Sequence, residues 1–171
     1  MNRAVSQPIE LGPSRSKDNL WLDLGCGSAK MVGAIGIDRY PFPGVDVVRD
    51  LRRGLPFNDS IFDGVRAHHV VEHFAGEDLL FIVDEMWRVC KPGARMEITV
   101  PDATSPNRYR DPTHVERDWH DDSFMMWQLD SKGEYQIFVG PGYGRHAKLK
   151  LLTTAVSASK DRFYRIEVVK L

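Results

Sequence analysis

The sequence predicts an α/β fold: an open, mostly parallel sheet of about seven strands that closes with a C-terminal antiparallel hairpin. Short apolar runs that stop at Gly or Asp recur through the first 100 residues. One segment of strong helical spacing, 76–90, separates two of these runs, and two strand-like segments flank a turn-forming stretch near the C-terminus. At 171 residues the chain suits one domain, long enough to bury about two-thirds of its unfolded surface.

Residues 1–18 are polar and read as a flexible N-terminal arm, with 19–171 as the single domain. Asn19–Leu24 (NLWLDL) is an apolar run that stops at Gly25-Cys26-Gly27, the pattern of a buried strand ending in a tight turn. Gly33–Ile37 reads as a second strand stopping at Asp38, and Val45–Val48 as a third stopping just before Asp50. Only about eight residues link the first strand to the second and the second to the third, where a parallel crossover takes about a dozen or more and usually a helix. Loops or a single turn are expected there, with reduced helices between the first three strands. A fourth strand is expected within Ile61–Val71. Gly76–Cys90 carries apolar residues at 79, 82, 83, 86, 87, 89 and 90, which is helical spacing. Lys91, Pro92 and Gly93 supply its stop signal. Ala94–Val100 returns to a strand. A substrate-side insertion, polar and rich in aromatics and turn formers, is expected at about 102–133, with a short helix near Ser123–Leu129. Tyr135–Val139, Ala147–Val156 and Phe163–Leu171 complete the sheet, the last two as a hairpin around Ala158–Asp161.

No apolar run approaches the roughly 18 residues needed to span a bilayer, so no membrane partner is expected. The N-terminus lacks the apolar core of a secretory leader. Two cysteines, Cys26 and Cys90, form neither a disulfide framework nor a CxxC pair, and a cytoplasmic setting is expected. The net charge of −1 gives no global attraction for nucleic acid, and no such partner is expected. Between Gly140 and Leu171, seven Lys/Arg face two Asp/Glu. This local excess reads as lysines blunting an exposed sheet edge more readily than as a surface for an anionic substrate.

The turn Asp23-Leu24-Gly25-Cys26-Gly27-Ser28 places glycines where a strand ends, so the backbone can bend sharply and a ligand can approach it. Ligands of open α/β sheets sit beyond the carboxyl ends of the strands. Asp38 ends the second strand, well placed to accept two hydrogen bonds from ribose hydroxyls, and Asp50 ends the third. Lys30 occupies the third glycine position of a dinucleotide fingerprint. Asp38 follows Gly25 by thirteen residues, where that fingerprint wants about 20. A ring of carboxylates would repel a pyrophosphate. It suits S-adenosylmethionine, whose sulfonium and ammonium are both positive.

LDLGCGSAK, IGID, VDVVRDL, LPFNDSIFDGV, HVVEHF and EMWRVCKPGA run almost continuously from Leu22 to Pro101. Together they resemble the class I S-adenosylmethionine-dependent methyltransferases, in particular the small bacterial type 11 branch. Asp111-Pro112-Thr113-His114 extends the resemblance more weakly. The resemblance implies a Rossmann-like sheet with S-adenosylmethionine as cofactor. It implies Asp23 near the methionine amino group and the backbone of Gly25, Cys26 and Gly27 against the methionine moiety. Asp38 would meet the ribose, Asp50 with Leu51 the adenine, and His68 with His69 the methyl-donor end. Two departures concern the methionine end: Ala29 stands where many members have the last glycine of the loop, and the usual first helix has no room.

Methyl transfer from a sulfonium needs alignment above all, since the cofactor supplies the reactive bond. Positioning alone is worth roughly 7–11 kcal/mol of barrier. A base near pKa 7 helps a hydroxyl or amine acceptor, and His69, His73 and His114 are the candidates. Tyr109, Trp119 and Tyr143 can wall an acceptor pocket, with Arg108, Arg110 or Arg145 offering charge. His69-Val70-Val71-Glu72-His73 also matches the inverted zincin pattern HxxEH. It straddles a strand end, however, whereas zinc needs both histidines on one helical face and a further carboxylate. No metal is expected. The predicted activity is methyl transfer to a small molecule or small modified group. The alternative is a protein that holds S-adenosylmethionine or S-adenosylhomocysteine without transferring the methyl.

Overall fold

In a computed structural model, residues 8–9, 19–116, 118–135 and 147–170 are described. Trp21–Leu24 forms β1, with its last three residues buried, as a strand covered on both faces must be. Ile35–Asp38 forms β2, Val47–Val48 forms β3, and Phe62–His68 forms β4. Gly76–Val89 is α1 and Cys90–Pro101 is β5, followed by β6 (Leu149–Val156) and β7 (Asp161–Val168). They build one seven-stranded sheet in the order β3-β2-β1-β4-β5-β7-β6. The first five strands pair in parallel and the last two antiparallel, as the sequence predicts. No helix among the described residues is long and apolar enough to cross a membrane.

Among the described residues α1 is the one α-helix. The links between the first three strands are turns, closed by bonds such as Ala29 N to Cys26 O (3.1 Å) and Val45 N to Phe42 O (3.1 Å). In place of a crossover helix, the Lys30 stem lies on β2. A Cβ added at Gly36 would meet Lys30 Cδ at 2.5 Å and Cys26 Sγ at 2.6 Å. The Lys30 ammonium reaches Asp46 Oδ2 at 2.8 Å, and the same oxygen accepts the Gly36 amide at 2.7 Å. Glycine at 36 is therefore required by the stem that crosses it.

Three element boundaries differ from the sequence reading. β4 ends at His68, because His69 adopts a left-handed conformation (φ 54°) that a strand cannot continue through. α1 ends at Val89 and β5 starts at once, because the fully buried Cys90 pairs with Phe62. The next pair is Gly64 with Arg95, so 91–94 bulge out around Pro92, which has no amide to give the ladder. The helix expected near Ser123–Leu129 is a 3-10 turn, Met125–Trp127. Tyr135 pairs with Leu129 in an isolated bridge. The rest of the expected Tyr135–Val139 strand, and most of the N-terminal arm, lie outside the described residues.

α1 buries Ile82, Val83, Met86 and Val89 against the sheet, with Glu77 and Asp78 in its positive first turn. It also buries Glu85. The Arg88 guanidinium grips that carboxylate at 2.6 and 2.8 Å and donates to the carbonyls of Leu55 and Phe57, while Glu85 accepts the Leu55 amide at 2.7 Å. The motif residues Glu85 and Arg88 thus clamp the 55–59 loop to the helix. On the other flank, Arg162 of β7 holds Asp102, just past β5, through Nε at 2.7 Å. Burial alone would raise the Asp102 carboxyl, but Thr104 and Arg162 hydrogen bonds pull it down to about 2.

Arg162→Ala should strand the Asp102 charge and cost about 3 kcal/mol in urea unfolding. Because the folded pKa lies below the unfolded one, the Asp102 contribution is complete above about pH 3.9 and lost as pH falls through 2. Asp102→Asn should therefore flatten the fall of stability between pH 4 and 2, measured by denaturant titration at each pH.

Candidate functional site

The carboxyl ends of β1, β2 and β3 form one rim of the sheet. After Leu24 the chain turns through Gly25 (φ 56°) and Gly27 (φ 49°), conformations that glycine adopts without strain. The Cys26 amide bonds Ile37 O at 3.3 Å, and the Gly27 amide bonds Asp38 Oδ2 at 2.9 Å. The two strand ends are thereby tied together. A Cβ on Gly25 would lie 2.5 Å from Val70 Cγ2, whereas one on Gly27 would meet nothing within 4 Å. One glycine packs under the loop after β4; the other looks onto open space.

Three carboxylates end these strands. Asp23 is buried, accepting the Met31 amide at 2.7 Å with the Arg66 guanidinium 3.6 Å away. Burial raises its pKa, against the pull of Met31 and Arg66. Asp38, also buried, takes one amide on each oxygen: Gly27 on Oδ2 and Tyr40 on Oδ1 at 2.9 Å. Each oxygen keeps a second acceptor position. Burial and the charges of Asp23 and Asp38 push the Cys26 thiol up to about 11. The bend therefore sits in a negative field. Half-buried Asp50 caps the 3-10 turn Leu51–Arg53 by accepting the Arg52 amide at 3.0 Å. The Arg49 amide bonds Asp38 O at 2.7 Å, which brings this turn to the same rim. Leu51 is buried in the core.

His68 stands one step past the Leu24–Ala67 pair, exposed beside the bend. Partial desolvation of its ring, then His69 and Arg66, holds its pKa below the ordinary value. His69 is held above it, first by the hydrogen bond of Nδ1 to Glu72 Oε1 (3.1 Å), with burial opposing. His73, in the 3-10 turn Val71–His73, packs its ring edge-on against His114 at 4.8 Å between centroids. The insertion is pinned here, since the amides of Val115 and Glu116 both bond Glu72 O at 2.9 and 3.0 Å. The structure thus gathers His73 and His114 but turns His69 toward Asp161.

Trp119 is buried, stacked on Phe124. One edge of it lines an open groove of about 340 Å³ shared with Leu79, Leu80, Met126 and Trp127. Tyr109 is exposed beneath the Arg108 guanidinium, away from that groove's lining. Tyr143 and Arg145 lie outside the described residues. Sequence reasoning placed Glu72 and Thr113 within motifs and gave neither a role of its own. The Asp111-Pro112-Thr113 order was a readable signal, since Asp111 accepts the Thr113 amide at 2.8 Å in an Asx-type turn.

A family model described as a methyltransferase domain matches residues 1–138. The fold is similar to a SAM-dependent methyltransferase from Aquifex aeolicus, 16% identical over 91% of this chain and 84% of that one, with a TM-score of 0.61. It is similar to another from Archaeoglobus fulgidus, 20% identical over 87% of this chain and 86% of that one, TM-score 0.56. Phosphoethanolamine N-methyltransferase 1 of Haemonchus contortus, solved with phosphoethanolamine and S-adenosylhomocysteine, is 10% identical over 90% of this chain and 39% of that one, TM-score 0.60. No curated protein sequence matches. Identities this low speak for shared fold alone.

The two glycines should respond differently to alanine. Gly25→Ala adds left-handed strain and a clash with Val70, about 2–3 kcal/mol in urea unfolding. Gly27→Ala adds the strain alone, about 1 kcal/mol.

Proposed function

The chain belongs to the methyltransferase-domain family, and on that premise we propose that it transfers a methyl group from S-adenosylmethionine to a small molecule or small modified group. The observation that carries this reading is the bend itself: open space above Gly27, with the buried carboxylates of Asp23 and Asp38 beside it. An adenosyl compound bearing positive charge fits that donor set. An anionic pyrophosphate does not.

The assignments follow from chemistry. Asp23, a desolvated carboxylate with one amide partner on Oδ2, would receive the methionine ammonium. The backbone of Gly25, Cys26 and Gly27 would bear on the methionine chain. Asp38 would accept the two ribose hydroxyls on its remaining acceptor positions, a charge-assisted pair. Asp50 and Leu51 would border the adenine, and His68 the donor end. When bound, the cofactor supplies an electrophilic methyl on a sulfonium. The chain's part is to align an acceptor with that methyl and keep water away. His73 and His114 would meet the acceptor, while His69, held toward its charged form by Glu72, would orient it. The apolar groove along Trp119 and Trp127 is the described cavity suited to an acceptor's apolar part. Two buried free thiols accord with a cytoplasmic setting.

Calorimetry should give one S-adenosylhomocysteine per chain and no NAD binding. Asp38→Ala should weaken that affinity by at least about 100-fold, through loss of two charge-assisted bonds and release of the Gly27 amide, while the sheet stays folded. Unchanged affinity would remove Asp38 from the site. Transfer of label from S-adenosylmethionine to any acceptor in a metabolite extract would separate an enzyme from a binder.

A further inference from the structure

We propose that Glu72, His73 and His114 form a binding site for a divalent transition-metal ion such as Zn²⁺. One ligand atom from each residue can be chosen so that all lie within 4.8 Å of one another. Two imidazoles and a carboxylate suit zinc or its first-row neighbours, whereas Mg²⁺ and Ca²⁺ take oxygen ligands. Three protein ligands leave a fourth position open.

Each ligand has one polar atom engaged and turns the other toward the shared space, where His114 Nε2 also lies 3.9 Å from Asp111 Oδ2. His114 Nδ1 faces Arg108 O at 3.3 Å, and His73 Nδ1 faces Thr113 O at 3.3 Å. A carbonyl only accepts, so both Nδ1 atoms carry protons and both Nε2 atoms present lone pairs. Thr113 reinforces this. Its hydroxyl donates to Asp111 Oδ1 at 2.6 Å, so its oxygen can accept from His73 Nδ1 at 3.0 Å. Metal-binding histidines are held by such bonds from the second ring nitrogen. The third ligand supplies the independent observation. Glu72 is 0% exposed, and its Oε1 is engaged by His69 while its Oε2 has no hydrogen-bond partner among the described residues. A buried carboxylate oxygen left bare is costly, and a cation satisfies it.

The arrangement comes from the fold. The Val71–His73 turn presents Glu72 and His73, and the amides of Val115 and Glu116 dock the insertion on Glu72 O so that His114 arrives beside them. Ligands about 2.1 Å from one ion stand about 3.4 Å apart in a tetrahedral site, so the three side chains would draw together by up to about 1.4 Å as the ion binds. The HxxEH pattern does not describe the site, because His69 supports Glu72 and its place among the ligands is taken by His114, 45 positions on. The proposed site departs from the sequence expectation of no metal. If the methyltransferase reading also holds, the open position would take an acceptor oxygen or sulfur and lower its pKa, relieving His73 and His114 of any role as bases.

The test uses the full chain without a histidine tag, stripped with EDTA and titrated with Zn²⁺ by calorimetry and with Co²⁺ by visible absorption. One equivalent of each should bind, Zn²⁺ with a dissociation constant below about 1 μM. His114→Ala and His73→Ala should each abolish stoichiometric binding, and Thr113→Val should weaken it about tenfold. No stoichiometric binding, or binding unchanged in His73→Ala and Thr113→Val, overturns the site. These two variants carry the test should His114→Ala fail to fold. S-adenosylhomocysteine affinity measured on the same samples separates the two readings: a chain that binds it but not Zn²⁺ refutes the metal site alone, and one that binds only Zn²⁺ refutes the donor site alone.

Discussion

The hydrogen bond from the Gly27 amide to the Asp38 carboxylate is the constraint on which the candidate site depends. It ties the loop after β1 to the last residue of β2, across strands that pair only from Leu22 to Leu24 with Ile35 to Ile37. It fixes the bend without a helix to hold it. It also leaves the backbone over Gly27 open, because the carboxylate reaches the amide from the strand side. The rim is negative as a result: burial, and then the charges of Asp23 and Asp38, push the Cys26 thiol upward.

The thin side of the sheet follows from chain length. Turns join β1 to β2 and β2 to β3, so no helix covers these strands among the described residues, and Lys30 and Asp46 stand in with a stem and a salt bridge. The heavy side is built differently. Glu85 and Arg88 fasten α1 to the 55–59 loop, and Asp102 with Arg162 fastens the end of β5 to β7. These clamps hold β4 and β5 firm, and the turn carrying Glu72 and His73 grows from that firm part. The bend and the histidine cluster thus meet after β4, where Val70 in the following loop packs directly against Gly25.

Much of this was legible in the sequence. The seven strands, the single strong helix, the short early links and the closing hairpin follow from apolar runs and their stops. Asp23, Asp38 and Asp50 at strand ends were legible because an aspartate that terminates a parallel strand marks the ligand-facing rim. The boundaries were less so. Nothing local announced that His69 would turn left-handed, or that Cys90 would begin β5 directly, since that depends on Phe62 across the sheet. The histidine cluster was illegible for a similar reason. HxxEH drew His69 and His73 together by spacing, whereas a tertiary contact replaces His69 with His114. Glu85 and Arg88 matched a motif without revealing that they clamp a loop.

An ¹⁵N-resolved NMR titration with S-adenosylhomocysteine tests the central claim most directly, because it reports on each amide of the bend. Shifts should saturate at one equivalent and concentrate at 23–28, 38–40 and 50–51, the Gly27 amide among the largest. Shifts confined to other parts of the sheet, or none at saturating ligand, would contradict the placement of the cofactor at this rim.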